Sequence, residues 1–239
     1  MQKKEQNNDI PRHVGIIMDG NGRWAVKRGM PRKAGYKYGA DVFTKIARYA
    51  AKLGVEFLTV YTFSTENWSR PPEEVAAIMD LLRTFLRDAE KYRKDNMRLI
   101  VLGDPAPLAS DIQKEIERIH RESSGNTGMT VNIALNYGGR DELVHAARAL
   151  MSRFRDGMIT DIDAVTADDF AACLYTAGQP DVDLIIRAGG EMRLSNFLLW
   201  QSAYAEYTFP QVLWPDFTPR HFDEALDAYA RRDRRFGGV

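Results

Sequence analysis

Cysteine is nearly missing from this chain: Cys173 is the single one among 239 residues. That excludes an internal disulfide and a cysteine-rich metal centre, and it suits a reducing compartment; a small buried apolar side chain is its plainest role. Long apolar runs are missing too. No stretch approaches the ~20 residues needed to cross a bilayer, and the opening "MQKKEQNNDIPR" lacks the apolar core of a signal peptide. The expected location is cytoplasmic, with contact peripheral to the inner face of the cell membrane left open. Net charge is absent, with 33 Lys+Arg against 33 Asp+Glu. No global field draws the chain to nucleic acid, which is therefore not an expected partner, and any anion site must be local. His13, His120, His145 and His221 are scattered and form no HExxH, and there is no GxxxxGK[ST] loop. Nor is there a DDxxD: Asp168 and Asp169 run into Phe170, Ala171 and Ala172. Ser64 and Ser195 have no neighbouring histidine to activate them. No repeat, low-complexity tract or linker divides the chain.

What is present is apolar material in short, regularly spaced pieces. Hydrophobic residues make up 44% of the chain, enough for a sizeable core in one α/β domain. β-rich runs at 13–18, 55–63, 97–103, 129–136, 182–187 and 205–209 alternate with helical patterns. This predicts a six-stranded, mostly parallel sheet flanked by helices. Helices are expected over 35–53, 72–95, 109–122, 139–155, 166–176 and 219–232. Residues 1–12 are expected to be disordered, and 13–239 to form the domain. In the 72–95 helix, Val75, Ile78, Met79, Leu82, Phe85, Leu86 and Ala89 recur at helical spacing. Such a stripe either faces an ordinary core or lines a tunnel for an apolar substrate.

Polar chemistry gathers just after the strands, where ligands bind in parallel sheets. "MDGNGRW" follows the first strand, "FSTENWSRP" the second, "NYGGR" the fourth and "RAGGEMRLSNF" the fifth. Arg23, Arg28, Arg32, Arg187 and Arg193 lie in or near glycine-bearing loops. A planar guanidinium pairs with phosphate through two hydrogen bonds, and glycine lets backbone approach closely. One such arginine alone would be a solvated surface charge; convergence from two distant loops points to an anion site. Asp19 and Glu206 are carboxylates able to hold Mg2+ bridged to a phosphorylated substrate. The alternatives are a helix cap or turn residue for Asp19 and half of an ion pair for Glu206.

These segments, with "RGMPRKAGYKYG", "LWPDF" and the closing "RRFGG", closely resemble the cis-prenyltransferases, and among them the bacterial undecaprenyl diphosphate synthases. The likeness runs in order from residue 13 to 238. It implies a soluble, Mg2+-dependent homodimer that condenses farnesyl diphosphate with successive isopentenyl diphosphates. Each step makes a cis double bond, the chain grows in an apolar tunnel, and the product is undecaprenyl diphosphate, the cell-wall lipid carrier, which leaves through transient contact with a membrane surface. The family lacks DDxxD, as this chain does. The family pattern makes Asp19 the essential carboxylate beside the Mg2+-diphosphate, with Asn21 positioning the reacting groups. It assigns Gly22, Arg23 and Arg32 to the allylic diphosphate, Trp24 to a wall beside it, and Gly20, Tyr36 and Arg70 to the same substrate-binding set. Arg187, Arg193 and Ser195 match the isopentenyl diphosphate site, with Glu206 contributing to metal binding. Ser64, Asn67, Trp68 and Glu74 match a mobile segment that closes over the substrates. The chain departs from the pattern at Tyr36, commonly His, at Met192, His in some members, and at Ala188, where a hydroxyl is frequent. A paralogue with a shorter product and a non-catalytic partner subunit are the competing readings.

Overall fold

Each of the six apolar runs forms a strand in the computed structural model, which describes residues 10–231. They are β1 (His13–Ile17), β2 (Phe57–Ser64), β3 (Arg98–Leu102), β4 (Thr130–Tyr137), β5 (Leu184–Arg187) and β6 (Glu206–Thr208). The order across the sheet is β3-β4-β2-β1-β5-β6, and every neighbouring pair is parallel. Strands β1, β4 and β5 are buried along their whole length. Burial on both faces is why their sequences read as continuous apolar runs instead of alternating ones. Val14 and Ile16 join the larger buried cluster and Ile17 a second one, as the two-residue period of a strand requires. The winding reverses at β1: β2 lies on one side of it and β5 on the other, so a crevice opens beyond the carboxyl ends of those strands.

Eight helices are described: α1 (Asn21–Lys27), α2 (Arg32–Leu53), α3 (Pro72–Arg87), α4 (Glu90–Lys94), α5 (Ser110–Ser123), α6 (Gly139–Arg155), α7 (Ala167–Ala171) and α8 (Pro219–Ala230). Helix α1 was expected as a loop. Gly20, with a left-handed φ of 102°, turns the chain out of β1, and the Trp24 amide then donates to the Gly20 carbonyl at 2.8 Å, starting a helix across the glycines. The N-cap is therefore Gly20, and Asp19 is not a capping side chain. The expected 72–95 helix is broken between α3 and α4. There the bonds tighten to three-residue spacing and turn Tyr92 fully into the core, its hydroxyl 2.8 Å from Thr44 Oγ1. The helix expected over 166–176 ends at Ala171.

Residues 1–9 of the segment expected to be disordered, and the "RRFGG" motif, lie outside the described residues. Residues 10–12 do not behave as a disordered segment. Arg12 and His13 donate their backbone amides to Asp183 Oδ2, and the Arg12 side chain pairs with Glu56 at 2.9 Å. No helix among the described residues is long and apolar enough to cross a membrane.

Candidate active site

Asp19 emerges from β1 directly beside the end of β5, because the register sets Ile17 opposite Arg187. Arg187 donates through Nη2 to Asp19 Oδ2 at 2.9 Å and through Nη1 to Ser195 Oγ at 2.7 Å. Its side chain is 5% exposed and its Nε is buried with no partner. Arg23, one helical turn past Asp19, approaches Oδ1 at 3.2 Å. Partial burial alone would raise the Asp19 pKa. The hydrogen bond and charge of Arg187, reinforced by Arg23, outweigh it and hold the carboxyl below its usual range. Asp19 is therefore an anion at neutral pH. Asn21 donates Nδ2 to the Met18 carbonyl, which leaves its Oδ1 buried without a partner.

Glu191 was not singled out from sequence. It draws Arg23 (3.7 Å) and Arg193 together, so the loops after β1 and β5 share one charge cluster. The β5 loop is strained as well: Ser195, Asn196 and Leu198 have φ of 49°, 63° and 46°. Non-glycine residues held in the left-handed region are costly and collect at functional sites. Asn196 holds this loop down: its carbonyl accepts from the Gly139 amide, its Oδ1 accepts from the Arg140 amide, and its Nδ2 donates to Glu66 at 2.8 Å. Glu66 belongs to a 3-10 segment, Thr65–Ser69, in which Ser64 and Asn67 cap each other.

A second cluster lies on the helix side. The Tyr36 hydroxyl donates to Glu74 at 2.7 Å and accepts from Arg70 at 3.0 Å, while Arg70 and Arg32 approach Glu74 at 2.9 and 3.5 Å. Arg32 lies against Gly22, where a side chain would meet its guanidinium at 2.8 Å. Burial and the Glu74 bond raise the Tyr36 pKa above its ordinary value, so the phenol stays neutral.

Between these clusters is a cavity of about 800 Å³. Asp19, Asn21, Tyr36, Ser64, Asn67, Arg70, Arg187, Arg193 and Ser195 contribute to its wall, and so do the apolar Phe43, Ile78, Leu81, Leu82, Phe85 and Leu135. The α3 stripe thus splits: Met79 and Leu86 are buried in the core, while Ile78, Leu82 and Phe85 border the cavity.

Three sequence-selected residues lie elsewhere. Trp24 is buried behind α1, donates to Asp216 at 2.7 Å, and carries Arg28 over its ring at 4.2 Å. Trp68 points away from the cavity, donates to Asn136 at 2.8 Å, and borders a separate cleft with Asp104, Val144 and His145. Glu206 starts β6 opposite Leu184, itself opposite Val14. That sets it five residues below Asp19, about 16 Å along the strands. Within one chain, then, Glu206 and Asp19 stand too far apart to hold one cation together. Among the described residues no three His, Cys, Asp or Glu side chains cluster as a metal cage. The donor set instead suits a hard cation held by one carboxylate, with a substrate's phosphate oxygens able to complete its shell; the orphaned Asn21 Oδ1 is buried against Gly39 of α2.

Residues 17–237 match the family described as "Putative undecaprenyl diphosphate synthase", within the prenyltransferases. The chain belongs to this family. An isoprenyl transferase of Geobacillus kaustophilus is 48% identical over 96% of this chain and 90% of its own. In Pasteurella multocida, a ditrans,polycis-undecaprenyl-diphosphate synthase described as (2E,6E)-farnesyl-diphosphate specific is 46% identical over 97% of both chains. Among solved structures, lavandulyl diphosphate synthase from Lavandula x intermedia, in complex with dimethylallyl diphosphate, superposes with a TM-score of 0.93. It is 34% identical and covers 97% of this chain and 100% of its own. As a prenyltransferase, the chain carries its departures in unlike settings: Tyr36 borders the cavity, Met192 is 78% exposed and Ala188 is fully buried.

Proposed function

We propose that the protein elongates prenyl chains in cis, condensing farnesyl diphosphate with successive isopentenyl diphosphates to undecaprenyl diphosphate, and that it requires Mg2+. The observation that carries this reading is one cavity combining an Asp19–Arg187–Ser195 anion cluster with the apolar flank of α3. Near-full-length identity to the Pasteurella enzyme supports the farnesyl primer and the long product.

Asp19 would hold the cation. When bound, Mg2+ supplies positive charge that stabilises the departing diphosphate. Arg23, Arg32 and Arg70 grip the allylic diphosphate, and Arg187, Arg193 and Ser195 the isopentenyl one. As the allylic carbon–oxygen bond breaks, negative charge grows on the diphosphate, and these donors stabilise it. The isopentenyl double bond then forms the new carbon–carbon bond, and a proton leaves the added unit. Holding both anionic heads in one crevice turns this encounter into a single-site reaction. The apolar wall of Ile78, Leu82 and Phe85 takes the growing tail as a tunnel. Exposing that tail to water costs about 0.8 kcal/mol per CH₂, so a cytoplasmic enzyme of this kind releases product toward a membrane surface.

The test is incubation with farnesyl diphosphate and labelled isopentenyl diphosphate, with and without Mg2+, followed by chromatography of the dephosphorylated products. A C55 product that needs the metal is expected; a product much shorter than C55 would sink the undecaprenyl assignment. Asp19→Ala should lower kcat by about 10² to 10³ without altering the circular dichroism spectrum.

A further inference from the structure

The cavity wall contains one arginine to which the sequence patterns assign no role. Arg140 is exposed, stands at the second position of α6, and borders the cavity together with Arg193, Ser195 and Asn196. Every other arginine on that wall is matched by an acid: Arg187 by Asp19, Arg193 by Glu191 and Arg70 by Glu74. Among the described residues the Arg140 guanidinium has no hydrogen-bond or carboxylate partner. Neither acid that follows it in sequence forms an ion pair with it: Asp141 accepts from Thr65, and Glu142 is buried under Tyr137 and Gln201.

Stability does not account for an arginine at this position. A cation in the first turn of a 17-residue helix opposes the helix dipole. Its backbone is nonetheless fixed with care: the Arg140 amide donates to Asn196 Oδ1 at 2.8 Å, and Asn196 keeps a left-handed φ of 63°. The strained loop thus anchors the start of α6 next to Ser195. A second unmet donor lies among the residues of this wall. Arg187, which already bonds Ser195, keeps its Nε buried and unpartnered.

We propose that Arg140 is a further diphosphate-binding residue, supplying the uncompensated positive charge for the head group of the isopentenyl substrate. The inference rests on the prenyl-elongation reading above. With Arg193 and Ser195 lining the same cavity, its planar fork can take two phosphate oxygens at once. Because the other arginines are balanced by acids in the free protein, Arg140 provides the net attraction that brings the second substrate in.

The experiment compares wild type with Arg140→Gln and Arg140→Lys. At saturating farnesyl diphosphate, Arg140→Gln should raise KM for isopentenyl diphosphate by about tenfold or more, the scale of one lost charge-assisted contact. Arg140→Lys, which keeps charge without the fork, should raise it less. KM for farnesyl diphosphate should stay within about twofold, and Tm should hold or rise, since the dipole conflict is relieved. Inorganic pyrophosphate, titrated by calorimetry, should lose affinity for Arg140→Gln by the same factor. An isopentenyl KM within twofold of wild type, an equal rise for both substrates, a lowered Tm, or unchanged pyrophosphate affinity would each overturn the assignment. A wild-type protein that consumed no isopentenyl diphosphate would defeat the elongation reading alone; the pyrophosphate titration would still judge Arg140.

Discussion

Tyr36 converts a position that is commonly histidine into a group without charge near neutral pH. In this chain the phenol bridges Glu74 and Arg70, and Glu74 also faces Arg32, so one carboxylate occupies the arginines assigned to the allylic diphosphate. On the proposed reading, substrate displaces Glu74 from them. The raised Tyr36 pKa means that this exchange gains no titration from residue 36 between pH 6 and 8. Tyr36→His should introduce one: KM for farnesyl diphosphate would fall by several-fold as pH drops through about 6.5, where imidazole gains its charge. A KM profile parallel to wild type would show that residue 36 does not meet the phosphate. Asp19 illustrates the same point from the other side. Its motif showed a carboxylate near arginines, but its depressed pKa comes from Arg187, which lies 168 positions away.

At the scale of elements, the joint between α1 and α2 is what holds the first loop in place. Gly35 lies against the Asn21 carbonyl so closely that an added Cβ would sit 1.9 Å from that oxygen. Gly35→Ala should therefore push α1 away, destabilise the fold by about 1–3 kcal/mol, and cost turnover as Asn21 and Asp19 shift. Denaturant melts and kcat measured together would check this. Strand β1 carries a pH response of its own. His13 donates Nδ1–H to the Pro180 carbonyl at 2.8 Å and accepts from Thr59 at 2.7 Å, and burial pushes its pKa below the ordinary 6.5. A neutral imidazole favoured by folding stabilises the protein above about pH 6.5 and loses that contribution as pH falls toward the folded value. Tm should decline below pH 6.5, by up to about 1.4 kcal/mol of stability per pH unit for this one group. His13→Gln should flatten the decline. The elements were legible in unequal measure. Buried runs such as "DLIIR" can only be strands of a covered sheet, and all six emerged within a few residues of expectation. Helix α1 was hidden because two glycines in "DGNGRW" read as a loop until Gly20 alone is seen to make the turn. The site was legible where motif residues leave the ends of β1 and β5. The motif alone could not show which way a turn faces, as for Trp24 and Trp68, or at which level strand register places Glu206.

At the scale of the whole molecule, one surface stands out as apolar among the described residues. Val144, Met151 and Phe154 are exposed at spacings of seven and three along α6, which keeps them on one face, and Met158 and Ile162 follow just beyond it, also exposed. Patches of this kind mark association surfaces, and a homodimer is the reading we propose for it. Sedimentation should give twice the 27.2 kDa chain mass, and Met151→Glu combined with Phe154→Glu should shift it toward the single-chain value. A wild-type protein sedimenting at 27.2 kDa would end the proposal. The strand order has a further consequence, in time instead of space. Strand β1 is made first yet sits between β2 and β5, so one of its edges stays open until residues 184–187 have been synthesised. At about 5–20 residues per second, the nascent chain carries that apolar edge for many seconds, the interval in which it is most open to mispairing. Asp19 has no Arg187 until then, so the candidate site is completed late, with the closing of the sheet.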